Sequence, residues 1–295
     1  MQPSDLNLFF YKFAAAVILL LPPTAFSADL NPTFNGSEIE AQADIYGATG
    51  APDTLNTAAA AAEWMIKNRS LPGGGFDVRG IEQPGRHLID TLAMGRAALA
   101  LYSVTGERRW LTVAQNAASY ITANFRSGDK MHPGFISNIP VPGSSVSPER
   151  SAAENISTVR FLNLLSHYTG NSKLKDEARS GMDFLSSTEA GLDAGAKAEL
   201  AEAKNELAAD PLHIVAVGER SDPNTQALYK AGVRFRHPYK RVELFDRSES
   251  PPPNPELQYP VLKRAAAYVC SNKRCSLPIF DPAEIPYAIT TLSGK

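Results

Sequence analysis

The feature that most constrains this chain is a repeated pattern: a helix-length apolar stripe, closed by glycine, followed at once by a second one. Residues 87–104 carry Leu88, Leu92 and Leu99 along one line and Ile89, Ala93, Ala97 and Leu101 along the next. Two adjacent stripes at helical spacing cover much of the circumference, so this helix must be buried on several sides. Gly106 stops it, and residues 107–125 restart with Trp110, Leu111, Ala114, Ala117, Ala118 and Ile121 on a narrower face. Together they form an αα-hairpin. The pattern returns at residues 151–168, with Ile156, Val159, Leu162 and Leu165 ahead of Gly170, and residues 172–185 answer with Leu174, Ala178, Met182 and Leu185. A hairpin of this kind cannot complete a core alone, so repetition predicts a stacked or toroidal array in which neighbours seal one another.

The rest of the chain frames that array. Residues 28–56 contain Pro32, Gly36, Gly47, Gly50 and Pro52 and read as an extended lead-in. An alanine run ending in Trp64, Met65 and Ile66 predicts a first helix over residues 57–69. Between residues 126 and 148, Gly128, Pro133, Gly134, Pro140, Pro142 and Gly143 forbid a continuous helix and predict a long ordered loop, the kind that borders a site. Residues 194–209 form a helix with only a thin apolar stripe. From residue 210 the period changes: strands are expected at 212–217, 241–245 and 265–270, and helices at 222–231 and 282–292. The plan is mainly α, with residues 57–209 as helical hairpins of a partial (α/α) toroid and residues 210–295 as a small C-terminal α/β module.

Residues 9–21 are apolar except for Lys12, shorter than the roughly 20 residues a membrane span requires. Pro22 and Pro23 follow, and the small residues Ala25 and Ser27 place a signal-peptidase site after Ser27, making residues 1–27 a signal peptide. Extending the run back to Leu6 gives the alternative of an uncleaved anchor, the only membrane attachment expected. Either way the bulk of the chain is exported, to the periplasm or cell envelope. A content of 43% hydrophobic and 20% charged residues argues for a packed core against disorder. A net charge of -2 with no long basic run gives no support for nucleic acid as a partner. Arg234, Arg236, Lys240 and Arg241 adjoin a predicted strand and read as a solvated edge. Cys270 and Cys275 are the whole cysteine inventory. Their spacing matches neither a redox C-x-x-C nor half a zinc site, and in an oxidising compartment they read as a structural disulfide or two inert thiols.

No P-loop, zinc-protease, EF-hand or nucleophile-elbow motif is present, and Gly218-Glu-Arg-Ser lacks the glycine spacing of a dinucleotide site, so no cofactor or metal is expected. The residues left to carry chemistry are His87 and Asp90, on one face of a helix start, Glu154 at another helix start beside Asn155, and His132 with Asp129 in the long loop. Phe76 and Asp77 follow the triple glycine. Each acid at a helix start also has a plain role, complementing the positive end of the dipole. If the hairpins curl, loops at one end would gather these groups around a cavity, where two carboxylates or a His and a carboxylate could act as acid and base on a sugar.

Three stretches carry a resemblance. Pro211-Leu-His-Ile-Val-Ala-Val-Gly-Glu-Arg-Ser-Asp-Pro-Asn-Thr-Gln-Ala-Leu, with Ala267-Tyr-Val-Cys270 and Cys275-Ser-Leu-Pro-Ile-Phe-Asp-Pro, resembles the carboxyl terminus of YyaL-type proteins. Glu154-Asn-Ile-Ser-Thr-Val-Arg-Phe-Leu-Asn-Leu-Leu is similar to a helix of that family, and Asp90-Thr-Leu-Ala-Met-Gly-Arg looks like an inner toroid helix. That family joins a thioredoxin-like domain to a six-hairpin, (α/α)6-type domain, so the resemblance implies a six-hairpin, glycosidase-like fold. The thioredoxin-like module and its redox cysteines are replaced here by the signal segment and lead-in, and thiol-disulfide activity is not implied. The resulting expectation is an exported domain that binds or processes a carbohydrate. The alternative is a non-catalytic scaffold relative with a protein partner.

Overall fold

The computed structural model describes residues 35–293 apart from 80–84, 130, 132, 144, 146–147, 250, 261 and 272–273. The expected signal segment, residues 1–27, lies outside the described residues. The larger layer holds helices α1 (Gly36–Thr49), α2 (Pro52–Arg69), α3 (Leu88–Thr105), α4 (Arg108–Asn124), α5 (Ala152–Thr169), α6 (Ser172–Thr188) and α7 (Ala194–Ala208). They pair as hairpins, α1 with α2, α3 with α4 and α5 with α6, while α1, α3, α5 and α7 pack side by side as an inner row. Each of the first three inner helices ends on a left-handed glycine: Gly50, Gly106 and Gly170 have φ of 73°, 68° and 69°. At Gly106 the backbone N–H turns back to Tyr102 O at 2.8 Å, an arrangement that a Cβ would strain.

The expected lead-in is helical from Gly36 onward, which corrects the reading of residues 28–56. Asn35 accepts hydrogen bonds from Ser37 N (2.9 Å) and Glu38 N (3.2 Å), and the Glu38 carboxylate accepts one from Asn35 N (3.0 Å), a complete capping box. The glycines taken for breakers have other roles. A Cβ on Gly36 would lie 2.4 Å from the carbonyl carbon of Ala93, so glycine is what lets α1 approach the backbone of α3. Gly47 lies on the buried line of Ile39 and Ala43, and Gly50 is the stop.

The long loop carries β2 (Asn138–Ile139), which pairs antiparallel with β1 (Arg86–His87). The C-terminal module is a sheet ordered β4-β3-β5-β6, from β3 (Leu212–Val217), β4 (Lys240–Phe245), β5 (Ala266–Ser271) and β6 (Arg274–Cys275). β3 and β4 are parallel, joined through helix α8 (Pro223–Arg234), whereas β5 and β6 run antiparallel. Helix α9 (Ile285–Ser293) packs on β5. One apolar core runs from Ile39 of α1 to Ile289 of α9, so the change at residue 210 is a change of element type within a shared core.

The module sits on the carboxyl ends of the inner row. Tyr229 of α8 donates to Ser103 O (2.9 Å), the Val242 N–H of β4 donates to the Tyr168 hydroxyl (3.1 Å), and Asn163 Nδ2 donates to the Tyr239 hydroxyl (2.8 Å). β4 is an edge strand, and the Tyr168 hydroxyl takes up one of the backbone N–H groups along it. No helix among the described residues is long and apolar enough to cross a membrane.

Candidate functional site

Three of the four sequence candidates meet at the amino ends of α3 and α5. His87 is the extended residue before α3, held by the β1–β2 pairing and by the Leu88 N–H to Ser137 O bond of 2.9 Å. Asp90, buried in the first turn of α3, accepts from Val78 N (3.2 Å) and lies 3.4 Å from Arg79 Nε. Burial raises its pKa, against the Val78 hydrogen bond and the charges of Arg79 and His87. Glu154 occupies the first turn of α5; burial raises its pKa too, opposed by a hydrogen bond to Ser137 and by Arg79 and His87, with Asp90 adding to the rise. Glu154 therefore feels the charge of both Asp90 and His87, and Asp90 that of His87. Glu154 Oε2 and His87 Nε2 are buried without a hydrogen-bond partner among the described residues. Asn155 is structural: its side chain accepts from Phe135 N (2.8 Å) and donates to Phe135 O (2.9 Å), fixing the long loop to α5. His132 lies outside the described residues, and its neighbour Asp129 accepts from Met131 N at 2.9 Å.

A cavity of about 710 Å³ opens elsewhere, between the inner row and the connector from α8 to β4, and His87, Asp90 and Glu154 are not in its wall. Its polar lining includes Asp44, Arg96, Arg160, Glu206, Tyr239 and Lys240. Arg160 and Glu206 form a two-pronged fork (2.9 and 2.7 Å), the geometry in which guanidinium and carboxylate match best. Arg96 reaches Glu40 through Nε at 3.2 Å and Nη2 at 2.9 Å. Asp44 is accessible to water yet recessed among protein atoms. That surrounding mass pushes its pKa up to about 6, with Glu40 adding to the rise and Arg96 and Lys240 opposing it. Burial lowers Lys240 to about 8 against the pull of Asp44, and its ammonium donates to Val233 O (2.6 Å) and Phe235 O (2.5 Å), the last carbonyls of α8. Sequence reasoning missed this wall. Its signal was available: Arg96 and Arg160 each sit mid-helix beside apolar neighbours such as Met94 and Ala97 or Val159 and Phe161, where a charge has to face a partner or a cavity.

A second cavity, of about 480 Å³, lies at the carboxyl ends of β3 and β4. Several of its charges are engaged in local structure: Asp222 caps α8, Asp246 accepts from Arg220 N (2.7 Å) and Ser248 N (2.8 Å), Arg247 donates to Tyr259 O (3.1 Å), and Arg264 lies over the Phe280 ring. Cys270 and Cys275, paired across β5 and β6, form a disulfide, which settles their two readings in favour of the bridge. Among the described residues, no group of three or more His, Cys, Asp or Glu is placed to hold a metal ion.

No protein-family model matches the chain, and no curated protein matches it in sequence. Solved structures similar to it include a GH76 α-mannanase from Bacteroides thetaiotaomicron, at 18% identity and a TM-score of 0.49 over 68% of this chain and 55% of that one. A family 76 mannosidase from Bacteroides thetaiotaomicron VPI-5482 gives 18% and 0.46 over 57% and 52%. Cellobiose 2-epimerase from Bacillus thermoamylovorans B4167 gives 12% and 0.47 over 67% and 58%. These neighbours are carbohydrate-processing proteins of the six-hairpin class. The chain spans little more than half the length of each.

Proposed function

We propose that this protein is an exported carbohydrate-binding protein that takes its ligand in the inner-row cavity. The observation that carries the reading is the cavity itself, about 710 Å³ of space walled by fixed polar groups beside the partly exposed rings of Phe235 and Tyr239. That volume lies within the range of ligand pockets, and oriented hydrogen-bond groups beside aromatic faces suit a sugar, which presents hydroxyls at its edge and C–H bonds on its face. The geometry favours binding over turnover. Hydrolysis of a glycoside ordinarily asks for two carboxylates; Asp44, raised to about 6, is placed to pass a proton, but Glu40, Glu206 and Glu199 each lie against a guanidinium group and supply no free second one. Export is supported by the signal-like residues 9–21 and by the Cys270–Cys275 bridge, since such bonds persist in oxidising compartments. The tail motifs support kinship with YyaL-type proteins.

A glycan array of the full chain, followed by calorimetric titration of any hit, tests this. The expected result is a saccharide ligand whose affinity falls about tenfold or more in Arg160→Ala, through loss of a charged hydrogen-bonding group, and is retained in His87→Ala, with circular dichroism showing both variants folded. An array without any saccharide hit would sink the proposal. Loss in His87→Ala with retention in Arg160→Ala would move the site to the helix-end cluster.

A further inference from the structure

The connector between α8 and β4 is the basic segment that the sequence alone reads as a solvated edge, and the structure makes it one wall of the cavity. Around the rest of the wall charges cancel locally: Glu40 with Arg96, Glu206 with Arg160, and Asp44 with Lys240, whose pKa values each show the other's charge. Glu199 of α7 leans on Arg160 as well. What remains without a charged partner among the described residues is Arg234 and Arg236, both exposed, with His237 beside them. Arg234 stands in the last turn of α8, where a cation complements the helix dipole. Arg236 lies beyond the helix end, and that explanation does not reach it. Beyond those three pairs the lining keeps one acid, Glu199, against two arginines, so the cavity carries an excess of positive charge concentrated on the side of the connector.

We infer that the cavity takes an acidic saccharide, its anionic group seated against Arg234 and Arg236. This rests on the carbohydrate-binding reading and names the ligand class within it. A guanidinium offers two parallel N–H donors, which match the paired oxygens of a uronate carboxylate or of a sulfate ester. Charge at the cavity mouth also draws an anionic ligand inward before contact.

The test is calorimetric titration of the full chain with trigalacturonate, with its methyl ester, which keeps the sugar backbone and removes the charge, and with a sulfate-esterified trisaccharide. The expected result is that an anionic probe binds about tenfold tighter than the ester, with an advantage that shrinks as sodium chloride is added. In the Arg234→Ser/Arg236→Ser double variant that advantage should vanish while binding of the ester is unchanged. Which anionic probe wins distinguishes carboxylate from sulfate, and either supports the inference. Equal binding of charged and neutral probes, an unaltered preference in the double variant, or array hits confined to neutral glycans would overturn it and leave sugar binding standing. Failure of every probe together with an empty array would remove both readings.

Discussion

Two of the places where this molecule gathers ionisable side chains are built in opposite ways. In the inner-row cavity, acids and bases meet in pairs whose outer atoms stay in contact with water. At the joint between the sheet and the inner helices, His213, Arg241 and Glu243 are only 4%, 6% and 3% exposed. His213 Nε2 lies 3.0 Å from Glu243 Oε2, and Arg241 Nη2 lies 3.0 Å from His213 Nδ1. An arginine can only donate, so Nδ1 accepts and the imidazole proton is assigned to Nε2, facing the carboxylate. The Tyr102 hydroxyl reaches Glu243 Oε1 at 3.4 Å, and Arg241 Nη1 donates to His167 O. Burial pushes Glu243 upward, yet His213 and Arg241 outweigh it and hold its pKa below the usual range. Burial and Arg241 together lower that of His213. The contrast shows that a buried group with a shifted pKa is not in itself a mark of function. The sealed joint fixes the module to the array, and the wetter cavity is the place a ligand can reach.

The largest expected effect follows from breaking the joint. Glu243→Ala leaves Arg241 buried with its nearest carboxylate gone, and losing one partner of a buried ion pair costs on the order of 3–5 kcal/mol. Urea unfolding followed by circular dichroism measures it. A loss below about 1 kcal/mol, the range of an exposed pair, would erase the distinction between joint and cavity.

Acid should act on the joint as well. Burial, with Lys175 and Arg241, pushes His167 down to about 4, against Asp210. A base whose folded pKa is depressed binds its proton more readily in the unfolded chain. Its contribution is thus fully present above the unfolded value of 6.5 and lost as pH falls toward 4. The expected loss across that window is on the order of 3 kcal/mol. Asp44 works the other way, because a raised carboxyl penalises the fold above about 6 and the penalty lifts as pH falls. It is open to water, so its counter-effect is the smaller one. Urea midpoints at several pH values between 7.5 and 4.5 should fall steeply in the wild type and more gently in His167→Gln. Parallel profiles would remove His167 from the account.

The same contrast marks what the sequence could show. The hairpins were legible because Leu88, Leu92 and Leu99, or Ile156, Val159 and Leu162, repeat at helical spacing and end on Gly106 and Gly170, where the packing and the stop are both local. Helix α1 was not legible. Its glycines serve contacts with α3 and α8, and close approach to Ala93 is a property of the partner helix that no local pattern records. The helix-end group of His87, Asp90 and Glu154 could be anticipated because helix starts bring such residues to one end of an array. The cavity could not, since Asp44, Arg96, Arg160 and Lys240 come from four separate elements, and only the register of the inner row together with the seating of β4 on it brings them around one cavity.

The smallest effect sharpens the comparison from the cavity side. Glu40 and Arg96 have side chains 22% and 41% exposed, so water already screens much of their attraction. Glu40→Gln should cost no more than about 1 kcal/mol in urea unfolding, against the several expected at the joint. Its consequence should be electrical. Glu40 is the second-largest cause of the raised pKa of Asp44, so removing its charge should bring that value down from about 6, visible as an earlier midpoint in a carboxyl carbon-13 NMR titration. The same substitution leaves Arg96 without its carboxylate and the wall more positive, so trigalacturonate should bind a few-fold tighter and its methyl ester as before. If Glu40→Gln instead destabilised the fold as much as Glu243→Ala, the cavity pairs would be structural in the same sense as the joint, and their preorganisation for a ligand would have to be given up.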